Sequence, residues 1–375
     1  MIGRLLIVIA VALTACRDST STSPHRTSHA GDTDAGDGLT GDPAGGDRAG
    51  SDDLEPGDPH GMGDTHPVGD AAVQGDGLGG DGPNAGDSSF DSTCLDAAPT
   101  SDPLHLGRNS RLEVMTWNLH NFPATDTTVA NLAALVTRMD ADLIAFQEIA
   151  DIAAFTDLLA ALPAYDGRYS PDVYTGGYQK TGFVWRRDLL SLIGTSSLFA
   201  SNSYAFPRPP FQASFDITTC DGSLARVAFI NVHLKASDGD PADDETNEAR
   251  RRAAVVALKT YTDGLLQGGT PKVVVLGDFN DMLSAPADDF VFTAYANDPS
   301  HYTFATSTLD DGVEYTYIVF PHFFDHLLLS QALVPALVAA DTLVLHLDEL
   351  VTTYTYTSVI SDHRPVLMQL ERDNL

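Results

Sequence analysis

The composition of this chain breaks near residue 107, and the break limits which residues can build a core. From Arg17 to Gly107 the sequence is mostly Gly, Asp, Ser, Thr and Pro, as in "GDTDAGDGLTGDPAGGD", and its one aromatic is Phe90. Nothing there offsets the entropy of ordering, so residues 17–107 are expected to form a disordered acidic tether. As a flexible coil its ~90 residues would reach roughly 50 Å. The repeated "GD" lacks the regular period and apolar position of calcium-binding nonapeptides, so a solvated spacer is the better reading. Residues 108–375 are enough for one large domain.

The first 16 residues read "MIGRLLIVIAVALTAC", with Arg4 ahead of an apolar run from Leu5 to Leu13. The run is too short for a mature membrane span and has the layout of a secretory signal. Its ending, "LTAC", resembles the lipobox of bacterial lipoproteins. That resemblance implies lipidation of Cys16 and a membrane anchor, in which each buried methylene adds roughly 0.8 kcal/mol. An ordinary cleaved signal is the other reading. Arg17, where Asp would favour inner-membrane retention, points to the outer membrane or cell surface. Cys94 and Cys220 remain as one pair in an oxidising compartment. They are either a disulfide tying the tether's end to the domain or two unpaired thiols.

The formal net charge is −31, and residues 108–375 carry 17 Lys+Arg against 34 Asp+Glu. Nonspecific adhesion to nucleic acid or anionic lipid needs clustered Lys and Arg, so it is disfavoured. An enzyme that meets a polyanion through a metal is not excluded.

Within residues 108–375 apolar runs alternate with helical patterns. "RLEVMTWNLH", "DLIAFQEI", "GFVWRRD", "LLSLIG", "ARVAFINVHLKA" and "KVVVLGDFND" read as strands, followed by "FFDHLLLS", "TYTYTSVI" and "RPVLMQL". "TTVANLAALVTRMD", "IAAFTDLLAAL" and "ETNEARRRAAVVALKTYTDGLL" read as helices. Many strands are apolar on both alternations, which suits sheets covered on both sides. The pattern is α/β, either a doubly wound sheet or two sheets packed face to face with helices outside.

Strand after strand ends or begins in a side chain able to bind a metal or carry a proton. These are Asn118, Glu148, His233, Asp278 with Asn280, Asp325, and Asp362 with His363. Singly, each has a structural explanation: a turn cap, a helix-dipole partner, a structural hydrogen bonder. Together, on six strands, they describe a site built where a rigid sheet meets solvent. Carboxylates, amides and imidazoles without Cys favour a hard cation such as Mg²⁺, Mn²⁺ or Ca²⁺ over Zn²⁺. Such a cation with His acid/base partners suits hydrolysis of a phosphate ester.

The order "TWNLHN", "IAFQEI", "NVHLKA", "LGDFND", "FDHLLLS", "SDHRPV" resembles the endonuclease/exonuclease/phosphatase superfamily over about Arg111 to Leu370. The resemblance implies a four-layer α/β/β/α sandwich, deoxyribonuclease I-like, with the site at one edge of the sheets. It implies that Glu148 binds the metal, with Asn118 beside it and Asp362 as a second carboxylate near it. By the same resemblance His363 activates the attacking water, and Asp325 orients it and raises its pKa. The resemblance also implies that Asp278 and Asn280 contact the scissile phosphate, with positioning of the nucleophile or of a second metal as their further role, and Asn118 is a further candidate for the phosphate contact. Asp278 and Asn280 share a strand face, whereas Asp281 points elsewhere and is given no role. His233 is a candidate acid for the leaving oxygen and leans the match toward the secreted branch. Arg208, in "FPRPPF", resembles a phosphate-contacting arginine.

The expected activity is thus a surface-tethered, metal-dependent endonuclease on DNA or RNA. A sphingomyelinase-like or other phosphate-ester hydrolase is the alternative, and a non-catalytic binding module the third. Against a nuclease stands the acidic domain, since Arg250, Arg251, Arg252 and Lys259 on one helix point several ways. Against a phospholipase, the sequence offers no evident exposed aromatic hairpin. No protein partner is implied, and a monomer is expected.

Overall fold

The computed structural model describes residues 94–96, 98, 100–174, 178–237, 241–350 and 352–375. The proposed lipidation site Cys16, the signal segment and residues 17–93 lie outside them. In chain order the strands are β1 (Arg111–Phe122), β2 (Leu143–Ile149), β3 (Tyr165–Tyr169), β4 (Lys180–Arg186), β5 (Leu190–Ser197) and β6 (Phe211–Thr218). They continue as β7 (Leu224–His233), β8 (Val273–Asp278), β9 (Tyr302–Phe304), β10 (Asp325–Ser330), β11 (Leu343–Val344) and β12 (Val366–Glu371). The helices are α1 (Thr128–Met139), α2 (Ile152–Ala161), α3 (Pro241–Gln267), α4 (Thr293–Ala296) and α5 (Thr353–Val359).

The strands form two six-stranded sheets, ordered β11-β12-β1-β2-β4-β3 and β5-β6-β7-β8-β10-β9. Strand alternation explains the layering. On β1, Leu112 and Val114 face the other sheet and meet Phe215, Phe229, Leu276 and Leu327. Their neighbours Met115 and Trp117 face outward, onto Leu132 and Val136 of α1 and Phe155 of α2. On the second sheet Ile230, Val232, Val273 and Val275 face outward onto Val255 and Leu258 of α3. Both faces of each sheet are therefore covered, which is why the strands read as unbroken apolar runs. The order is helix, sheet, sheet, helix, as the resemblance implied.

Parallel pairing fixes where the strand ends lie. β1 runs parallel to β2, and β7 parallel to β8. β10 is antiparallel to β8, with Asp325 opposite Asp278. The C-terminal ends of β7 and β8 and the first residue of β10 therefore share one edge.

Two local readings change. The segment "TYTYTSVI" alternates like a strand but forms α5. Thr352 caps it, its Oγ1 accepting from the Thr355 amide at 3.1 Å, and Tyr356 is buried. The cap and one buried ring outweigh the strand preference of the Thr and Tyr residues. At the other end, Cys94 and Cys220 form a disulfide. Leu104 and Leu106 pack on the α1 side of the core, and Asp102 pairs with Arg138 at 3.0 Å. The packed domain thus reaches back before residue 108. Among the described residues no helix is long and apolar enough to cross a membrane.

One buried pair far from the shared edge sets a pH dependence of stability. Glu113 and Asp142 are both buried, Glu113 with no exposed surface, and Glu113 Oε2 has no donor. Burial, then the charge of Asp142, pushes the Glu113 carboxyl up to about 10, and burial pushes Asp142 up to about 6. The folded chain therefore holds a proton there that the unfolded chain releases near its ordinary pKa. This contribution is complete below that ordinary value and is lost as pH rises toward about 10. Glu113→Gln, which needs no proton, is expected to flatten a decline approaching ~1.4 kcal/mol per pH unit in denaturant midpoints between pH 7 and 9. Parallel declines in the two proteins would show that the pair shares no proton.

Candidate active site

Four backbone departures from regular strand geometry bring the polar side chains to the shared edge. The pairing of β1 with β2 shifts register between Asn118 and Phe122, where His120 and Asn121 have φ of 48° and 54°. The β2–β4 pairing shifts between Phe146 and Ile149, and Glu148 between them has φ 60°. Such bulges re-aim a side chain out of the pleat. On β8, Gly277 has φ 141°, and a Cβ there would lie 2.0 Å from the Val232 carbonyl oxygen. Only glycine lets β8 approach β7 closely enough to set Asp278 beside His233. Beyond β8, Asn280 has φ 52°, and its backbone N–H donates to Asp278 Oδ1 at 2.8 Å.

The side chains converge on an open cavity of about 620 Å³. Glu148, Arg208, His233, Asp278, Asn280, Asp362 and His363 all line it. Asp325 lies behind His363, accepting from its Nδ1 at 2.8 Å through Oδ2. His363 Nε2 then lies 3.9 Å from Asp278 Oδ2. His233 Nε2 is 3.7 Å from both Glu148 Oε1 and Asp278 Oδ2. Asn118 is fully buried, and its Nδ2 donates to Glu148 at 3.2 Å and to Asp278 at 2.9 Å. Its Oδ1 accepts from the His120 amide, so Asn118 holds two carboxylates together from behind. Arg208 is partly buried and donates to Gln179 Oε1 at 2.7 Å. Gln179 in turn donates to Glu148 Oε2 at 2.9 Å, which places Arg208 one residue away from the carboxylates.

Electrostatics separate the two histidines. Burial works against charge on His363, but Asp325, with Asp278 and Asp362, outweighs it and pushes the imidazole up to about 10. Burial, reinforced by Arg208 and His363, holds His233 well below the ordinary histidine value, and its Nδ1 has no partner. Burial and then Asp325 push the Asp278 carboxyl up to about 7, against the pull of His363.

Three carboxylates, Glu148, Asp278 and Asp362, thus line one cavity, and a fourth, Asp325, stands behind His363 with its Oδ1 buried without a donor. This excess of negative charge, from oxygen and imidazole donors alone, fits a divalent cation. Asp278, Asp325 and His363 offer ligand atoms within 4.8 Å of one another. Their closeness owes much to the His363–Asp325 hydrogen bond, so Glu148 and Asp362, which open to the cavity, remain candidates beside them.

Sequence reading missed three participants. His120 Nδ1 donates to Asp362 Oδ2 at 2.8 Å, a bond that raises the pKa of His120 against burial. The signal lies in the "LHN" triplet at the end of β1, where the strand pattern covers it. Gln179 had none. The third is an aromatic wall. Tyr317, Phe320, His322 and Phe324 line the cavity, with the Tyr317 ring 5.1 Å from that of His363. Tyr317 and His322 pair as a bridge, and the turn between them exposes Val319 and Phe320, at 53% and 64%. An exposed apolar hairpin is therefore present, contrary to the sequence reading. "TYIVFPHFF" hid it because the run is apolar throughout. The basic residues of α3 do scatter, as expected. Arg250 donates to the Tyr204 carbonyl, Arg251 to Asp281, Arg252 to the Phe290 carbonyl, and Lys259 to Asp263. Asp281 is thus an ion-pair partner for α3.

The model of the Endonuclease/Exonuclease/phosphatase family matches residues 115–363. No curated protein matches the sequence. Among solved structures, the human Nocturnin catalytic domain with bound sulfate anion aligns at 18% identity and TM-score 0.51, covering 69% of this chain and 94% of that one. D. rerio TDP2 complexed with single strand DNA product aligns at 14% identity and TM-score 0.48, covering 69% and 98%. The Bacteroides thetaiotaomicron mannosyl-6-phosphatase Bt3783 aligns at 16% and 0.48, covering 68% and 98%.

Proposed function

This chain belongs to the Endonuclease/Exonuclease/phosphatase family and is a phosphoric-ester hydrolase; from that premise we propose that it is a divalent-metal-dependent phosphodiesterase that cleaves nucleic acid, anchored at the cell envelope through Cys16. The observation that carries the chemistry is His363 held by Asp325 and aimed at Asp278 across the cavity. With Nδ1 fixed on Asp325, His363 presents Nε2 to a water and takes its proton as the water attacks phosphorus. Asn280 and Asp278 position the phosphate and the water at the edge of β8. His233, expected as the acid for the leaving oxygen, is held neutral by burial and by Arg208, so it would meet that oxygen as a hydrogen-bond donor and not as a proton source. Glu148 and Asp362, with Asp278, are the residues that would hold Mg²⁺ or a similar cation. When bound, that cation neutralises phosphoryl charge and offsets the carboxylate field that raises His363.

The aromatic wall supports a planar leaving or flanking group. Base stacking on an exposed ring contributes about 1–3 kcal/mol per base and tolerates any sequence, which suits a chain without a basic track. The exposed Val319–Phe320 turn equally suits insertion among lipid tails, and this favours a phospholipid as the second reading. The full chain, purified with its disulfide intact, is expected to nick supercoiled plasmid or degrade RNA with Mg²⁺ and not with EDTA. Release of head groups from sphingomyelin vesicles with plasmid and RNA left whole would replace nucleic acid by phospholipid as the substrate.

A further inference from the structure

Beneath the cavity a buried amide joins the two sheets at the bulge that presents Glu148. Glu148 reaches the cavity only because its φ is 60°, and this turn interrupts the β2–β4 ladder between Phe146 and Ile149. An interrupted ladder leaves carbonyls without their strand partners, and in a dry interior each must find another donor. Here the donor comes from the opposite sheet. Asn231 of β7 gives one Nδ2 proton to the Phe146 carbonyl at 2.9 Å and the other to the Gly182 carbonyl at 2.8 Å. Phe146 and Gly182 are the last paired residues before the shift. Asn231 Oδ1 accepts from Gln147 Nε2 at 2.8 Å, and Gln147 continues to Thr116 Oγ1 at 3.1 Å. All three side chains are fully buried. Each adjoins a residue of the site: Thr116 lies two before Asn118, Gln147 one before Glu148, and Asn231 two before His233.

We infer that Asn231 is a positioning residue, which caps the Glu148 bulge from the neighbouring sheet and so fixes the carboxylate that faces the cation. The role needs this residue type. Only a side chain with two amide protons and one acceptor on a short stem serves two carbonyls and Gln147 together. Aspartate would set a carboxylate against two carbonyl oxygens. Serine would reach one of them. The inference rests on reading Glu148 as a cation ligand, and its test separates the two.

Mn²⁺ binding to the purified full chain, followed by its electron paramagnetic resonance signal, is the readout. Asn231→Asp and the milder Asn231→Ser are compared with Glu148→Gln and with the double variant of Asn231→Ser and Glu148→Gln, each checked for a cooperative unfolding transition. The expected result is a fall in Mn²⁺ affinity of ~10- to 100-fold in folded Asn231→Ser, with no further fall when it is added to Glu148→Gln. Unchanged Mn²⁺ affinity in folded Asn231→Ser, or an equal added fall in the double variant, would overturn the role given to Asn231. Failure of both Asn231 variants to fold would also overturn it, since Asn231 would then support the whole domain rather than the bulge. Wild-type affinity in Glu148→Gln would instead remove the premise about Glu148.

Discussion

Replacing His363 by alanine lowers kcat by ~10²- to 10⁴-fold, the span ordinarily lost with a positioned general base. The geometry makes this a clean deletion. Besides the bond from Nδ1 to Asp325, the contacts that hold residue 363 in place use its backbone, whose carbonyl accepts from Trp117 Nε1 at 3.3 Å and from Tyr356 Oη at 2.7 Å. Its amide donates to Ser361 Oγ at 2.9 Å. These backbone contacts survive the substitution, so the strand start and the cavity keep their shape. What disappears is the imidazole between Asp325 and the cavity. It leaves Asp325, already short of a donor at Oδ1, with neither oxygen bound to histidine. Some loss of stability is therefore expected beside the loss of rate, and kcat is best compared well below the unfolding transition. Asp325→Asn is the companion measurement. It keeps volume but removes the charge that raises His363, so the acidic limb of the rate profile, where the base loses its proton, moves to lower pH. A His363→Ala protein that turned over within a factor of a few of the parent would show that the proton passes elsewhere, with His120 the next histidine to remove.

How much of this could be read in advance follows from what kind of signal each part leaves. Sheets covered on both faces were legible because every inner strand is covered twice, so Val273 to Leu276 or Leu143 to Phe146 appear as unbroken apolar runs; that pattern fits a doubly wound sheet equally, and only the motif resemblance implied the sandwich. The site was legible because those runs stop at Asn118, Glu148, His233 and Asp278, polar residues with no place in a core. Parts that depend on backbone reversal left no such trace. His120, Asn121, Glu148 and Asn280 all adopt positive φ without being glycine. His and Asn tolerate this region better than most residues, but their presence does not mark where such a turn falls, and Glu148 gives no sign of it at all; the surrounding hydrogen bonds impose the turns. The hairpin at Val319 and Phe320 was hidden for the opposite reason. Its exposed tip has the same apolar composition as its flanks, half-buried Ile318 and buried Phe323, and periodicity cannot tell them apart. α5 shows the limit of local preference, since Thr and Tyr in alternation form a helix once a cap and one buried ring favour it.

The second large effect belongs to Glu148, and it should differ in kind from that of His363. Glu148→Gln keeps the length of the side chain and removes its charge. In the parent, three donors converge on this carboxylate: Asn118 Nδ2, the Asn121 amide at 2.9 Å and Gln179 Nε2 at 2.9 Å. A carboxamide offers one acceptor where these donors need two, so its own NH₂ must turn toward another donor or toward the cavity. Both consequences weaken cation binding: one formal charge is lost, and the remaining oxygen is no longer held by donors on both sides. The expected result is a loss of ~10²-fold or more in kcat/KM at low Mg²⁺, partly recovered as Mg²⁺ is raised, with half-activation displaced upward ~10- to 100-fold. His363→Ala, by contrast, should show the parent's half-activation at a lower plateau, because the carboxylates remain. Titrating Mg²⁺ against both variants in one assay therefore assigns each residue its part. Identical half-activation for the parent and Glu148→Gln would remove Glu148 from the cation's ligands and leave Asp278, Asp325 and His363, whose ligand atoms lie within 4.8 Å of one another, as the group to test in its place.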